Sequence, residues 1–195
     1  MHYHGLMTNL LLALATGVGL AAASGLRAFL PLLAVGLAGR HGFLHLHPGM
    51  EWLQSDPALW SLAAATAFEL VGDKVPVVDH VLDTVGTIVR PVAAWVATYA
   101  VFQDWGAPWA QLLAVGMGVG ALAVHGAKAH TRLGSTAISL GHANPILSVL
   151  EDAVSFALVV AAVLLPLLAL GFVVLAVVAY ARRRGRARGV PTSPG

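Results

Sequence analysis

The chain of 195 residues has no cysteine, which excludes disulfides, thiolate metal sites, cysteine nucleophiles and thiol redox chemistry. Charge is scarce as well: Asp, Glu, Lys and Arg make up 10% of the residues, against about 25% in an ordinary soluble domain. Aromatic residues are only 7%, and no aromatic or groove-reading motif accompanies the arginines, so nucleic acid is not an expected partner. No G-x-S-x-G, H-E-x-x-H or P-loop motif occurs, and no enzymatic activity or cofactor is expected. What the chain has in abundance is apolar sequence, 58% hydrophobic with a mean hydropathy of +0.80. That composition describes an integral membrane protein, and the apolar runs predict an all-α bundle of five or six short, partly broken helices.

Net charge is +2, but Arg182, Arg183, Arg184, Arg186 and Arg188 lie together near the C-terminus, leaving six Lys and Arg against nine Asp and Glu elsewhere. The basic pI is therefore a property of residues 182–195, expected to form a disordered cytoplasmic tail against anionic lipid, with residues 1–181 as the membrane domain. This predicts a multi-pass protein of the cell (inner) membrane.

Leu6–Ala23 is long enough for a first span. Ala21-Ala22-Ala23-Ser24 resembles a cleavage site, but no Lys or Arg precedes the run, so a retained helix is preferred to a secretory signal. Residues 28–38, with Pro31, read as a broken helix or a second short segment. Residues 40–57, with His41, His45, His47 and Trp52, read as an interfacial loop. Further spans are expected at 58–71, 85–102 and 108–124. The run from Ala153 to Tyr180 is about 42 Å long as one helix, which exceeds the hydrocarbon core, so it must kink, tilt or turn back near Pro166.

Two polar stretches interrupt the apolar sequence. A charge at the centre of a lipid-facing helix costs about 2.5 to 3.5 kcal/mol, so these residues must face the bundle interior or water. In the first stretch Glu69 and Asp73, then Asp79 and Asp83, stand at helical spacing, and Pro76 suits the first position of a new helix. The second aligns His125, Lys128 and Arg132 as a basic stripe that needs an anionic partner, supplied by the acidic stretch or by a bound anion. Gly72-Asp73-Lys74 resembles Gly126-Ala127-Lys128, and Pro76 with Asp83 resembles Pro145 with Asp152, suggesting a weak internal repeat.

The runs SGLRAFLPLLAVGLA, GDKVPVVDHVLDTVGTIVRPVA, HGAKAHTRLGSTA and SVLEDAVSF resemble the DUF4126 family, small prokaryotic multi-pass membrane proteins of unknown function. The resemblance covers roughly residues 10 to 180. It rests on Arg27, Phe29 and Pro31; Asp73, Lys74, Pro76 and Asp79; His125, Lys128 and Arg132; and Ser148, Glu151 and Asp152. The chain departs from the family pattern between Arg132 and Ser148, and the resemblance implies no activity.

For Glu69, Asp73, Asp79 and Asp83 two readings stand: a cation or proton pathway, or neutralisation by Lys74, Arg90, Lys128 and Arg132 in a closed salt-bridge network. Arg27, Lys128 and Arg132, with Ser135 and Thr136, could instead receive an anion or phosphate headgroup. His41, His45 and His47 lack an acidic partner at metal-site spacing, so no metal site is expected. His80 and His142 are expected to be hydrogen-bonded residues; His125 is the candidate pH gate. The leading expectation is a transporter or channel for an ion or small polar solute. Its path would be lined by Arg27, Glu69, Asp73, Lys74, Asp79, Asp83, Arg90, His125, Lys128, Arg132, Glu151 and Asp152. The alternative is a lipid-interacting scaffold whose charges form structural pairs. Expected partners are the bilayer, a small ion or anionic solute, and further copies of the chain.

Overall fold

A computed structural model describes residues 2–103, 105, 106, 108–139 and 144–188. The described residues form helices α1 (His2–Leu26), α2 (Phe29–Arg40), α3 (Asp56–Gly72), α4 (Pro76–Val101), α5 (Trp109–Ser139), α6 (Asn144–Leu164) and α7 (Pro166–Arg188). A short 3₁₀ helix, Pro48–Gln54, precedes α3, and no strand occurs among these residues. Helices α1, α4, α5, α6 and α7 are long and apolar enough to cross a membrane, whereas α2 and α3 are shorter.

The helix boundaries follow local chemistry. Ser55 caps α3 by accepting the backbone N–H of Ala58, with Pro57 in the first turn. Pro76 opens α4, as its missing N–H and fixed φ favour. At the other end of the chain, Leu165 separates α6 from α7, and Pro166 begins the new helix. The long run from Ala153 to Tyr180 thus turns back. Ser155 and Ala162 of α6 meet Ala23 and Gly19 of α1, while Ala169 and Val173 of α7 meet Gly19 and the Ala22–Ala23 region in the opposite order. Helix α7 continues through Arg182 to Arg188. Residues 189–195 lie outside the described residues.

Helices α1 and α2 form a hairpin. Gly17 of α1 packs on Phe102 at the end of α4, and beyond α2 the backbone N–H of His47 bonds the Ala100 carbonyl at that same end. The tip of the hairpin, Ser24 to Arg27, therefore points the other way, into the bundle, where Ser24 and Arg27 are fully buried. Helix α3 lies antiparallel to α2. Arg40 pairs with Asp56 at one end, and Glu69 reaches the start of α2 at the other. The sequence left 28–38 open as a broken helix or short segment; it is a short helix that doubles back.

Small residues bring α1, α4 and α5 together, with Ala21, Ala94 and Ala121 in one buried cluster. At Gly25 the approach is closest: a Cβ would meet the Ala121 carbonyl oxygen at 2.6 Å and Val124 at 2.6 Å. The proposed repeat is realised only in part. Pro76 and Pro145 both sit at helix starts, but the Gly126–Lys128 stretch lies inside the unbroken α5, whereas Asp73 and Lys74 form a turn.

Overpacking of this contact costs about 1–3 kcal/mol. Gly25→Val is therefore expected to lower the thermal midpoint in detergent, whereas Gly120→Ala, whose added Cβ meets nothing within 4 Å, is expected to leave it unchanged.

Candidate functional site

Every residue that the sequence singled out for the path converges on the hairpin tip. Arg27, at the end of α1, pairs through Nη1 with Asp73 Oδ2 and through Nη2 with Asp152 Oδ1 of α6. Nη2 also donates to Ser148 Oγ at 3.1 Å. Asp73 stands on the turn between α3 and α4, outside the five long spans, and its side chain is 0% exposed. Its Oδ2 also receives Lys128 Nζ at 3.3 Å and Arg132 Nη2 at 3.2 Å. Burial alone would push this carboxyl up, but Lys128, Arg27 and Arg132 hold it below the ordinary carboxylate value.

Around this centre the partners alternate in sign. The Arg132 fork donates from Nε to Glu151 Oε1 at 3.2 Å and from Nη2 to Oε2 at 2.7 Å, and Lys128 Nζ is 3.2 Å from the same Oε2. Arg132 Nη1 pairs with Asp79. Asp83 is held more loosely, 3.4 Å from Arg90 and 3.7 Å from both Lys128 and Arg132. Lys74 closes the outer edge, 3.0 Å from Asp152 Oδ2.

Glu69 plays a different part. Its two carboxylate oxygens accept the backbone N–H groups of Ala28 and Phe29, at 3.0 and 3.3 Å, while Arg90 lies 3.9 Å away. The start of α2 is buried and carries the positive end of a helix dipole, so Glu69 satisfies donors that water cannot reach. Arg90 Nη1 donates to His125 Nδ1.

The cluster thus joins six carboxylates to five Lys and Arg side chains, with the α2 terminus facing one of the carboxylates. Arg27 Nε, Arg90 Nε, Asp73 Oδ1 and Ser24 Oγ are buried without a hydrogen-bond partner among the described residues. Valences of this kind suit water or a ligand, because leaving them empty is costly.

Depth follows from helix rise. Phe102, Trp109 and Leu164 mark one end of α4, α5 and α6. From there Arg90 and Asp152 lie about 18 Å along their helices and His125 about 24 Å, all three within stretches apolar enough to cross a membrane. Asp79 and Arg132 lie about 34 Å along, near the opposite ends of those stretches. Exposure is uneven across the cluster: Arg27, Asp73 and Lys128 are enclosed, whereas Asp152 and Asp83 are partly exposed and Lys74 is 42% exposed.

Sequence reasoning placed Ser148 in a motif but not in the site; its position three residues before Glu151 and four before Asp152 puts all three on one face of α6. Ser24 was missed too, its only mark being the Ser-Gly pair before Arg27. Ser135 is half-buried on α5, and the Thr136 side chain and His142 lie outside the described residues. Among the histidines set aside, His80 is exposed, and His47 stacks near Tyr99 at the other end of the bundle, 3.2 Å from its hydroxyl.

Fold and site together define a multi-pass helical membrane protein with an ion-pair cluster enclosed among its helices. The family model described as Domain of unknown function (DUF4126) matches residues 14–184, and the chain belongs to that family. Comparison with curated proteins and with solved structures gave no match.

Removing one partner of a buried pair costs about 3–5 kcal/mol, because the other charge is stranded. Asp73→Asn, which leaves Arg27 with Asp152 as its one carboxylate and weakens the hold on Lys128 and Arg132, is expected to lose stability toward this scale in thermal unfolding, and adding Arg27→Met is expected to recover part of the loss. Asp73 stabilises the fold above the ordinary carboxylate value of 3.8 and ceases to do so as pH falls through its depressed folded value. An acid titration of wild type against the double variant reads this difference.

Proposed function

We propose that this protein is a small transporter or channel for an ion or small polar solute, with the buried charges lining its route. The observation that carries the proposal is the meeting of a buried hairpin tip with a multi-helix ion-pair cluster inside an otherwise apolar bundle. Buried ion pairs add little stability over apolar packing of similar volume, so stability alone is a weak reason for so many of them. Ionisable groups inside membrane proteins mark solute and proton routes, and helix ends at membrane depth commonly accompany them.

Transport would exchange internal salt bridges for contacts with the solute. Asp83 is the loosest member, and Lys74, the most exposed, stands on the α3–α4 turn at the side of the bundle away from Phe102. The arginines at the end of α7 lie on that same side, which the positive-inside rule makes cytoplasmic. The Trp and Phe end then faces outward, and the solute must pass the small-residue contacts among α1, α4 and α5.

A scaffold reading has one observation in its favour: Arg27, Asp73, Arg90 and Lys128 are enclosed and ion-paired, as in a structure meant to stay closed. Flux measurements in proteoliposomes, run with alkali-metal cations, protons and small anions, separate the two. Wild type is expected to move at least one of these, and Asp79→Asn and Lys128→Gln are each expected to cut the rate by about tenfold or more while keeping a folded thermal transition. Absence of flux through wild type, together with unfolding of both variants, establishes the scaffold instead.

A further inference from the structure

The charges differ in how their partners are held, and one carboxylate occupies a seat built for an oxyanion. Arg132 presents Nε and Nη2 in parallel to the two oxygens of Glu151, at 3.2 and 2.7 Å, and Lys128 adds a third donor to Oε2 at 3.2 Å. A planar fork with an ammonium beside it is the geometry by which proteins bind free carboxylates and phosphates. Both cations are almost wholly enclosed, with side chains 7% and 1% exposed, so the seat is water-poor and its charge–charge attractions are strong.

Glu151 reaches this seat from α6, while Arg132 and Lys128 belong to α5. Those two helices have little other contact, in contrast to the close packing of α4 on α5 and of α6 on α1. The Glu151 side chain is thus a principal direct tie between two helices that otherwise barely touch, and it is itself 14% exposed. Asp73, by comparison, is 0% exposed and anchored by the hairpin tip.

We infer that Glu151 is a tethered stand-in for the solute: an external oxyanion, carboxylate or phosphate, displaces it from Arg132 and Lys128 and loosens α5 from α6. The inference rests on the transport proposal above and supplies its substrate class. Exchange leaves the charge of the cluster nearly unchanged, because one anion replaces another in the same seat, and Glu151 swings toward the exposed side of α6.

Removal of the tethered carboxylate should make the seat available to a free one. Glu151→Ala, purified in detergent, is expected to be less stable than wild type and to regain several degrees of thermal midpoint with formate or inorganic phosphate, but not with chloride at matched ionic strength. Glu151→Gln is expected to bind phosphate about tenfold more tightly than wild type by calorimetry, and Arg132→Gln in the same background to remove the gain. Short-chain phosphatidic acid run alongside distinguishes sources: a response to the soluble ions marks a free solute, and a response to the lipid alone marks a headgroup.

A folded Glu151→Ala that responds to formate and phosphate no more than to chloride overturns the inference, as does stabilisation that follows the cation of the added salt. Should neither variant fold, Glu151→Asp, which keeps the charge but withdraws it by one methylene, takes their place under the same criteria. Rescue by formate with no flux of any solute through wild type retires the transport proposal and keeps the seat. Cation flux with no oxyanion response does the reverse.

Discussion

A guanidinium removed from water needs a carboxylate and hydrogen-bond acceptors close by, and in this protein that requirement is concentrated at Arg27. Its side chain is fully buried at the tip of a helical hairpin, and it holds Asp73, Asp152 and Ser148 simultaneously. Desolvation makes each of these partners obligatory, since the loss of any leaves a polar group stranded in a medium that cannot solvate it. The α3–α4 turn and the start of α6 are consequently drawn to the same point. Lys128 and Arg132 then follow on α5, because Asp73 Oδ2 accepts from all three cations.

The backbone obeys the same constraint. A chain that reverses inside a helical bundle exposes N–H groups at the start of the returning helix, and apolar surroundings cannot satisfy them. Glu69 does so for α2, with one carboxylate oxygen on each of the first two donors. An acidic residue that looks in the sequence like another member of a charge stripe therefore serves chiefly as a helix cap. Close approach of α1 to α5 completes the enclosure, and it depends on Gly25 and on the alanines around it.

Much of this was legible in the residues themselves. Composition identified the membrane as the solvent; Pro76 marked a helix start and Pro166 an interruption, though not whether it kinks, tilts or reverses, because proline removes a donor and fixes φ in any surroundings. The spacing of Glu69, Asp73, Asp79 and Asp83, and of His125, Lys128 and Arg132, likewise identified two faces of opposite sign. Less legible was the fate of residues 28–38: Pro31 sits in the first turn of α2, where it is tolerated, so it does not mark the break that the sequence suggested. The repeat between Gly72-Asp73-Lys74 and Gly126-Ala127-Lys128 was visible as letters only, since the first is a turn and the second lies within α5.

What the residues determined alone is the need: charges too costly to face lipid, helix breaks where local chemistry requires them, and a basic helix end. Which acid meets which base was decided in three dimensions. Arg27 finds Asp73 across 46 positions, Lys128 finds it across 55, and Ser148 lies 121 positions from the arginine that it receives. Helical periodicity fixes neighbours three and four residues apart, but it carries no information about contacts at those separations. They arise because helices in lipid lack a hydrophobic force to bring them together and settle where small side chains interlock and buried polar groups are satisfied.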